Sequence, residues 1–245
     1  MQAFRILQSQ GFGSRRDCRE LILRRRVLFN GVPAADPEQE FACENLIFSI
    51  DGQAYSYRKH AYLALHKPAG YECSRQPRDH PSVFALLPEY LLRRGVQCVG
   101  RLDQDTTGLL LFSDDGSFIH DHTAPKKQIG KTYQVSCKHA CSPALIEQLL
   151  AGVQLHDDPA PVRAKQCRAL SEYVLELVVS EGKYHQVKRM LAAAGNRVVS
   201  LHRNAIGGYV LPVDLAAGKW RWLQSEDLAA LQIRPEIDPP HSPTP

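Results

Sequence analysis

Residues 99–112 place two carboxylates, Asp103 and Asp105, shortly before a run of four apolar residues, 109–112. The apolar run predicts a buried strand, and the polar residues before it predict a loop that leads into that strand. A carboxylate beside buried structure costs free energy unless it is paired or hydrogen-bonded, and such placements concentrate at functional sites. The fold must therefore bury this strand and leave a candidate catalytic loop at its beginning.

The composition indicates a folded soluble protein. The chain has 245 residues, of which 44% are hydrophobic and 23% charged. No apolar run approaches the ~20 residues that a membrane span needs, and the first residues show no secretory signal. Seven cysteines without a framework spacing are then expected to be reduced thiols, and the cytoplasm is the predicted compartment.

The first 30 residues predict a nucleic-acid-binding module. They contain seven arginines and two acids, although the whole chain has a net charge of only +4. Ser14 and Asp17 predict a helix N-terminus, and Asn30-Gly31 predicts a tight turn between short strands. Charge alone equally fits a solvated surface. The order of basic helix, strand, turn and strand favours RNA binding.

Further along the chain, strands and helices interleave without a repeating βαβ period, which favours an α+β fold. The pattern predicts strands at 62–65, 131–135 and 173–179, and helices at 82–87, 142–150 and 185–194. Asp114-Asp115-Gly116 predicts a turn after the central strand. The proline-rich tail, 235–245, is predicted to be disordered.

Four motifs in order give the chain a resemblance to a known family. Gly-Arg-Leu-Asp at 100–103, followed by Thr-Gly-Leu at 107–109, resembles the active-site motif of RNA pseudouridine synthases. The segments 66–71, 131–133 and 180–190 resemble the family's other motifs. Residues 14–31 resemble an S4 domain, a small RNA-binding module of ribosomal protein S4, although Arg25 stands where such modules usually carry glycine.

The resemblance covers most of the chain and implies its organisation. It predicts an S4-like RNA-binding domain at 1–58 and a mixed, mainly antiparallel catalytic domain at 59–234. It is strongest to the branch that modifies small-subunit ribosomal RNA. The expected partner is therefore 16S rRNA, within an assembling small subunit. The enzyme is expected to be a monomer, and an isomerisation needs neither a cofactor nor a metal.

The resemblance also implies residue roles. Asp103 is the expected nucleophile, Tyr133 packs on the flipped uracil and helps to remove its C5 proton, and Lys188 pairs with Asp103. Arg189 is the alternative partner of that carboxylate. Supporting roles fall to Arg101, Thr107 and Gly108. The expected RNA-binding residues are Arg15, Arg16, Arg19, Arg24, Arg25, Arg26, Lys67, Arg75, Arg78 and His185.

Several alternatives stay open at this point. A 23S rRNA synthase of the same branch and a non-catalytic ribosome assembly factor share these motifs. A glycosidase using Asp103 and Asp105 as a carboxylate pair is disfavoured, because the two side chains are expected to converge poorly. A metal at Cys137, His139 and Cys141 is not expected, since no second ligand pair has zinc spacing. The target uridine and the attacked carbon, C1′ or C6, are open, as is a glycal route.

Overall fold

The computed structural model describes residues 1–233, which form two compact units. The N-terminal unit comprises Met1–Ala61 with the later segments Leu87–Gln97 and Ser113–Asp115. The C-terminal unit comprises Tyr62–Leu86, Cys98–Phe112 and the described residues from Gly116 onward. The predicted disordered tail lies outside the described residues. Among residues 1–233, no helix has the length and apolar character that crossing a membrane requires.

The N-terminal unit packs helices on a small antiparallel sheet with the strand order β2-β1-β3-β4. Its elements are α1 (Ala3–Ser9), α2 (Arg15–Leu23), β1 (Val27–Phe29), β2 (Val32–Pro33), β3 (Ile47–Ile50), β4 (Gln53–Ser56) and α3 (Glu89–Arg94). Phe4, Leu7, Ile22, Phe29 and Phe48 are buried in its core.

The start of α2 and the turn between β1 and β2 form where the sequence predicts them. Ser14 and Asp17 form a capping box, in which each side chain accepts a hydrogen bond from the other residue's backbone N–H. Asn30 and Gly31 have φ of 48° and 81° and join β1 to β2. Arg25 has φ of 55°, in the region that favours glycine. The turn before β1 therefore keeps a left-handed residue although the glycine is replaced by arginine.

The C-terminal unit contains a large mixed sheet with the strand order β13-β5-β7-β11-β8-β10-β9, to which β6 adds beside β7 and β12 beside β11. Its strands are β5 (Tyr62–Lys67), β6 (Gln97–Val99), β7 (Thr107–Ser113), β8 (Lys131–Cys137), β9 (Gln166–Ser171), β10 (Val174–Val179), β11 (Val198–Ile206), β12 (Tyr209–Val210) and β13 (Trp220–Trp222). Its helices are α4 (Gly116–Thr123), α5 (Pro143–Ala151), α6 (Gln186–Ala193) and α7 (Ser225–Ala230). The predicted α+β class is confirmed.

The centre of this sheet positions the site. Residues 108–113 of β7 are all buried, so the predicted buried strand is confirmed. β7 runs parallel to β11, with Thr107 beside His202, and β11 runs antiparallel to β8, with Arg203 beside Tyr133. The start of β7 therefore lies near the middle of β11, and Tyr133 of β8 lies on the far side of β11 at the same level.

Two local predictions are wrong. The segment 82–87 forms only a short 3-10 turn, Val83–Leu86, because Pro88 follows at once and leaves no room for further helical turns. The predicted turn at 114–116 instead leads directly into α4, which begins at Gly116. The other predicted helices and strands are present.

Candidate active site

Asp103 lies in the loop 100–106, which ends where β7 begins at Thr107. The backbone carbonyl of Asp103 accepts a hydrogen bond from the N–H of Thr106 at 3.1 Å and closes a tight turn. The Asp103 side chain is 26% exposed, which leaves its carboxylate accessible but partly shielded from water. A partly dry carboxylate interacts strongly with nearby charges.

Lys67, at the end of β5, supports this loop from the protein interior. The residue is fully buried, and its Nζ donates to the carbonyls of Pro68 at 3.0 Å, Gln104 at 3.1 Å and Thr106 at 2.9 Å. Burial lowers the pKa of Lys67 below its ordinary value. The predicted RNA-binding role of Lys67 is corrected, because a buried ammonium that serves three carbonyls has no access to a phosphate.

Lys188, on α6, meets the loop from the cleft side. Its Nζ lies 2.9 Å from Oδ2 of Asp103 and 2.6 Å from Oδ1 of Asp105. Partial burial alone would lower the pKa of Lys188, but its hydrogen bonds to Asp105 and Asp103 raise it overall. The sequence left Lys188 and Arg189 as alternatives, and the structure brings Lys188 to the carboxylate.

Asp105 departs from its predicted placement. Asp103 and Asp105 were expected to converge poorly, and this is wrong, because both contact the same ammonium. Residues two apart share one face even on an extended segment. These two precede β7, in the turn that the Asp103 carbonyl and the Thr106 N–H close. Although its partial burial works in the opposite direction, the hydrogen bond and charge of Lys188 hold the pKa of Asp105 below its ordinary value.

Two other residues of this motif, His185 and Arg189, lie near different carboxylates. His185, with φ of 47° at the start of α6, has its Nε2 3.4 Å from Oδ1 of Asp103. Arg189 lies instead near two other carboxylates, with its Nη2 3.5 Å from Asp157 and 3.6 Å from Asp158. His185 was predicted to bind RNA, and the structure places it beside the candidate nucleophile.

Tyr133 is held by an arginine that the sequence reasoning missed. Arg203 on β11 is 2% exposed, donates from Nε to the carbonyl of Leu109 at 2.7 Å, and has its Nη1 3.4 Å from the Tyr133 hydroxyl. Tyr133 itself is 8% exposed. Arg203 thus connects β7, which follows Asp103, to β8, which carries Tyr133. No short motif marks Arg203 in the sequence, because its burial comes from the pairing of β11 with β7.

The supporting residues of the motif fix how β7 meets β11. Thr107 Oγ1 hydrogen-bonds with Nδ1 of His202 at 2.7 Å. Gly108 has φ of 106°, and a Cβ at this position would lie 2.3 Å from the carbonyl oxygen of Arg203. A larger residue at 108 would therefore force the two parallel strands apart and move the Asp103 loop.

A cleft of about 430 Å³ lies beside Asp103. This volume is in the range of small-ligand sites. Its lining combines Asp103, Tyr133, Arg203 and His185 with the exposed Arg101 and with Lys131. Burial and the nearby Arg203 charge lower the pKa of Lys131 to about 8. Basic groups outnumber acids in this lining, and the arrangement suits an anionic ligand with an apolar ring.

Two further predicted RNA-binding residues, Arg75 and Arg78, are exposed on the loop after β5. The Glu72 carboxylate organises this loop by accepting hydrogen bonds from the backbone N–H groups of Arg78, Asp79 and His80. Those bonds lower the pKa of Glu72. The loop therefore has a defined shape, and Glu72 also lines the cleft.

The remaining predicted RNA-binding arginines belong to the N-terminal unit. Arg15 and Arg16 are exposed at the start of α2, and Arg25 is exposed at its end. The other three arginines each pair with a carboxylate: Arg19 with Glu38, Arg24 with Glu20, and Arg26 with Asp51. Exposed ion pairs of this kind are weak and compete poorly with a polyanion.

Comparison with known proteins identifies similar chains. The model of the RNA pseudouridylate synthase family matches residues 61–193. The ribosomal small subunit pseudouridine synthase A of Escherichia coli is 43% identical over 170 residues, which cover 69% of this chain and 73% of that protein. The protein of the same name from Haemophilus influenzae is 34% identical over 218 residues, covering 89% and 94%.

A solved structure is similar over nearly the whole length. A crystal structure of a pseudouridylate synthase superposes with a TM-score of 0.67 at 31% sequence identity. The match covers 94% of this chain and 99% of the other. The similarity thus extends beyond residues 61–193.

Proposed function

This chain belongs to the RNA pseudouridylate synthase family, and on that premise we propose that it converts one uridine of 16S ribosomal RNA to pseudouridine, with Asp103 as nucleophile. The observation that carries the proposal is the pairing of Asp103 with Lys188 beside Tyr133, since all three side chains line one pocket. The substrate follows from the similar proteins, which are named as small-subunit synthases. An assembling small subunit in the cytoplasm is the proposed context, and a monomer the proposed active form.

The reaction breaks the bond between ribose C1′ and uracil N1 and joins C1′ to C5. A uridine stacked in a helix is out of reach, so the target must be unpaired or flipped into the cleft. Tyr133 supplies a ring on which uracil packs, and its hydroxyl is positioned to help remove the proton from C5. N1 gains a proton, so the product is an isomer of the substrate.

Lys188 is proposed to keep the Asp103 carboxylate aimed at the sugar or the base. The charge-assisted hydrogen bond between the two side chains fixes the orientation of the carboxylate. Attack at C1′, addition to C6 and formation of a glycal all require a carboxylate held in this way. The roles of Arg101, Thr107 and Gly108 are then to hold the loop and the strand that present it.

The N-terminal unit is proposed to be the S4-like RNA-binding domain. Its exposed Arg15, Arg16 and Arg25 supply positive charge, and counterion release from RNA makes such binding steeply salt-dependent. The test is RNA affinity from 50 to 200 mM salt, with a variant in which Arg15 and Arg16 are replaced by glutamine. A shallower salt slope in that variant supports the proposal, and an unchanged slope removes this surface from RNA binding.

The activity is tested by tritium release from C5-labelled uridine in 16S rRNA, both naked and in partly assembled subunits. Release by the wild type and none by Asp103→Asn is the expected result. Release from 23S rRNA alone would support the proposed reaction and contradict 16S rRNA as the substrate. No release from either RNA, with tight binding retained, would favour the non-catalytic assembly factor.

A further inference from the structure

Two cysteines beside the catalytic loop have no part in the reaction described above. Cys73 lines the cleft that contains Asp103, and Cys98 lies on β6. Their thiols hydrogen-bond with each other. The two side chains therefore already point towards each other, as a disulfide between them requires.

Cys73 also contacts the catalytic loop directly. Its Sγ accepts a hydrogen bond from the backbone N–H of Leu102 at 3.4 Å, and Leu102 immediately precedes Asp103. On the other side of Cys73, Glu72 orders the exposed loop at 78–80. A change in the position of the Cys73 sulfur is thus transmitted to both walls of the cleft.

The surroundings of Cys73 favour its thiolate. The hydrogen bond with Cys98, which outweighs burial, acts together with the Leu102 N–H and the charges of Lys67 and Arg203 to lower the pKa of Cys73 to about 7. Burial instead raises the pKa of Cys137 and of Cys167 to about 12. A nucleophilic thiolate at the cleft and a neighbouring thiol together form the arrangement of a redox-active pair.

We propose that Cys73 and Cys98 are a peroxide-sensitive dithiol whose oxidation to a disulfide switches the enzyme off. The Cys73 thiolate attacks one oxygen of hydrogen peroxide, the O–O bond breaks, and water leaves after the other oxygen takes a proton. The resulting sulfenic acid is attacked by the Cys98 sulfur, and a second water leaves as the S–S bond forms. Two thiols lose two electrons and two protons, and peroxide is reduced to two waters.

Oxidation disables the site through the loop. An S–S bond of about 2.05 Å draws the Cys73 sulfur towards Cys98. This movement alters the hydrogen bond that the Leu102 N–H donates to the sulfur, one residue before Asp103. A displacement of a catalytic group by about 1 Å can lower the reaction rate about a hundredfold. We therefore expect turnover to fall at least tenfold after oxidation and to return when dithiothreitol reduces the disulfide.

The matched variants are Cys98→Ser and Cys141→Ser in the full-length protein. Serine at 98 keeps a hydroxyl donor for Cys73 but forms no disulfide. Cys141 belongs to a second hydrogen-bonded thiol pair, with Cys137, and its substitution tests thiol loss elsewhere. Both variants are expected to retain basal activity within twofold.

The experiment treats each protein with hydrogen peroxide, maps disulfides by mass spectrometry after thiol blocking, and measures tritium release. A 73–98 linkage with reversible inactivation in the wild type and Cys141→Ser, and a dimedone adduct of Cys73 in Cys98→Ser, are expected. Absence of the linkage, or its formation without loss of turnover, overturns the proposal. Because the linkage is mapped without RNA, a protein inactive before peroxide would instead count against the proposed function.

Discussion

Two lysines hold the loop that carries Asp103, and they do so in opposite ways. Lys67 is fully buried and donates to three backbone carbonyls, whereas Lys188 is partly exposed and contacts two carboxylates. Burial lowers the pKa of Lys67, while the carboxylates raise the pKa of Lys188. From this difference we propose two separate tasks: Lys67 sets the shape of the loop, and Lys188 sets the direction of the carboxylate.

After the loss of the nucleophile itself in Asp103→Asn, the largest effect on catalysis is expected from Lys188→Met. Methionine keeps much of the side-chain length but removes the ammonium that orients the Asp103 carboxylate. We expect turnover to fall by about a thousandfold, the upper range for loss of one preorganised electrostatic contact, with stability changed by less than about 1 kcal/mol. Single-turnover tritium release and urea unfolding measure the two effects.

Arg189→Met is the control for that measurement, because Arg189 pairs with Asp157 and Asp158 rather than Asp103. Its turnover is expected to stay within about tenfold of the wild type. A larger loss in Arg189→Met than in Lys188→Met would reverse the assignment of the two basic residues.

Lys67→Met is expected to act on folding first. Removing the ammonium takes this donor from the carbonyls of Pro68, Gln104 and Thr106, of which Thr106 is buried, and should destabilise the protein by about 3 kcal/mol. Urea unfolding measures the change. The exposed Lys127→Met is the matched control and should cost less than about 0.5 kcal/mol. Normal stability with lost turnover in Lys67→Met would contradict the separation of tasks.

The same two lysines show which features of the site the sequence alone can predict. Lys188 was found because its motif has a recognisable pattern on one short segment. Lys67 was expected to bind RNA, which requires an exposed side chain. Its burial depends on the carbonyls of residues 104 and 106, about 40 positions away, and no local pattern contains that information.

Elements fixed by near neighbours were predicted well. The capping box of Ser14 and the hairpin turn at Asn30 each depend on residues within three or four positions. Arg203 was missed because its role comes from the parallel pairing of β7 with β11, residues about 95 positions apart. The site could thus be located from sequence, while the groups that rigidify it could not.

Lys131 extends the comparison to pH dependence. Burial and Arg203 lower its pKa to about 8, against 10.5 as the ordinary value. Between these values the unfolded chain binds the proton and the folded protein does not, so stability rises with pH across this window. We expect a rise on the order of 2 kcal/mol that Lys131→Met abolishes, measured by urea unfolding from pH 7.5 to 10. If the stability of Lys131→Met rose equally with pH, the rise would not come from Lys131, and this ammonium would be exposed to water in the folded protein.

The smallest effect is expected from Asp105→Asn, which tests whether Lys188 serves one carboxylate or two. Asparagine keeps the size of the side chain and removes its charge, and Lys188 stays paired with Asp103. Turnover is expected to fall about tenfold, because Lys188 loses one of the two anchors that fix it. Asp103→Asn is the comparison, since it removes the proposed nucleophile. If Asp105→Asn were as inactive as Asp103→Asn in single turnovers, the two aspartates would act as a catalytic carboxylate pair, and the division of labour around Lys188 would be wrong.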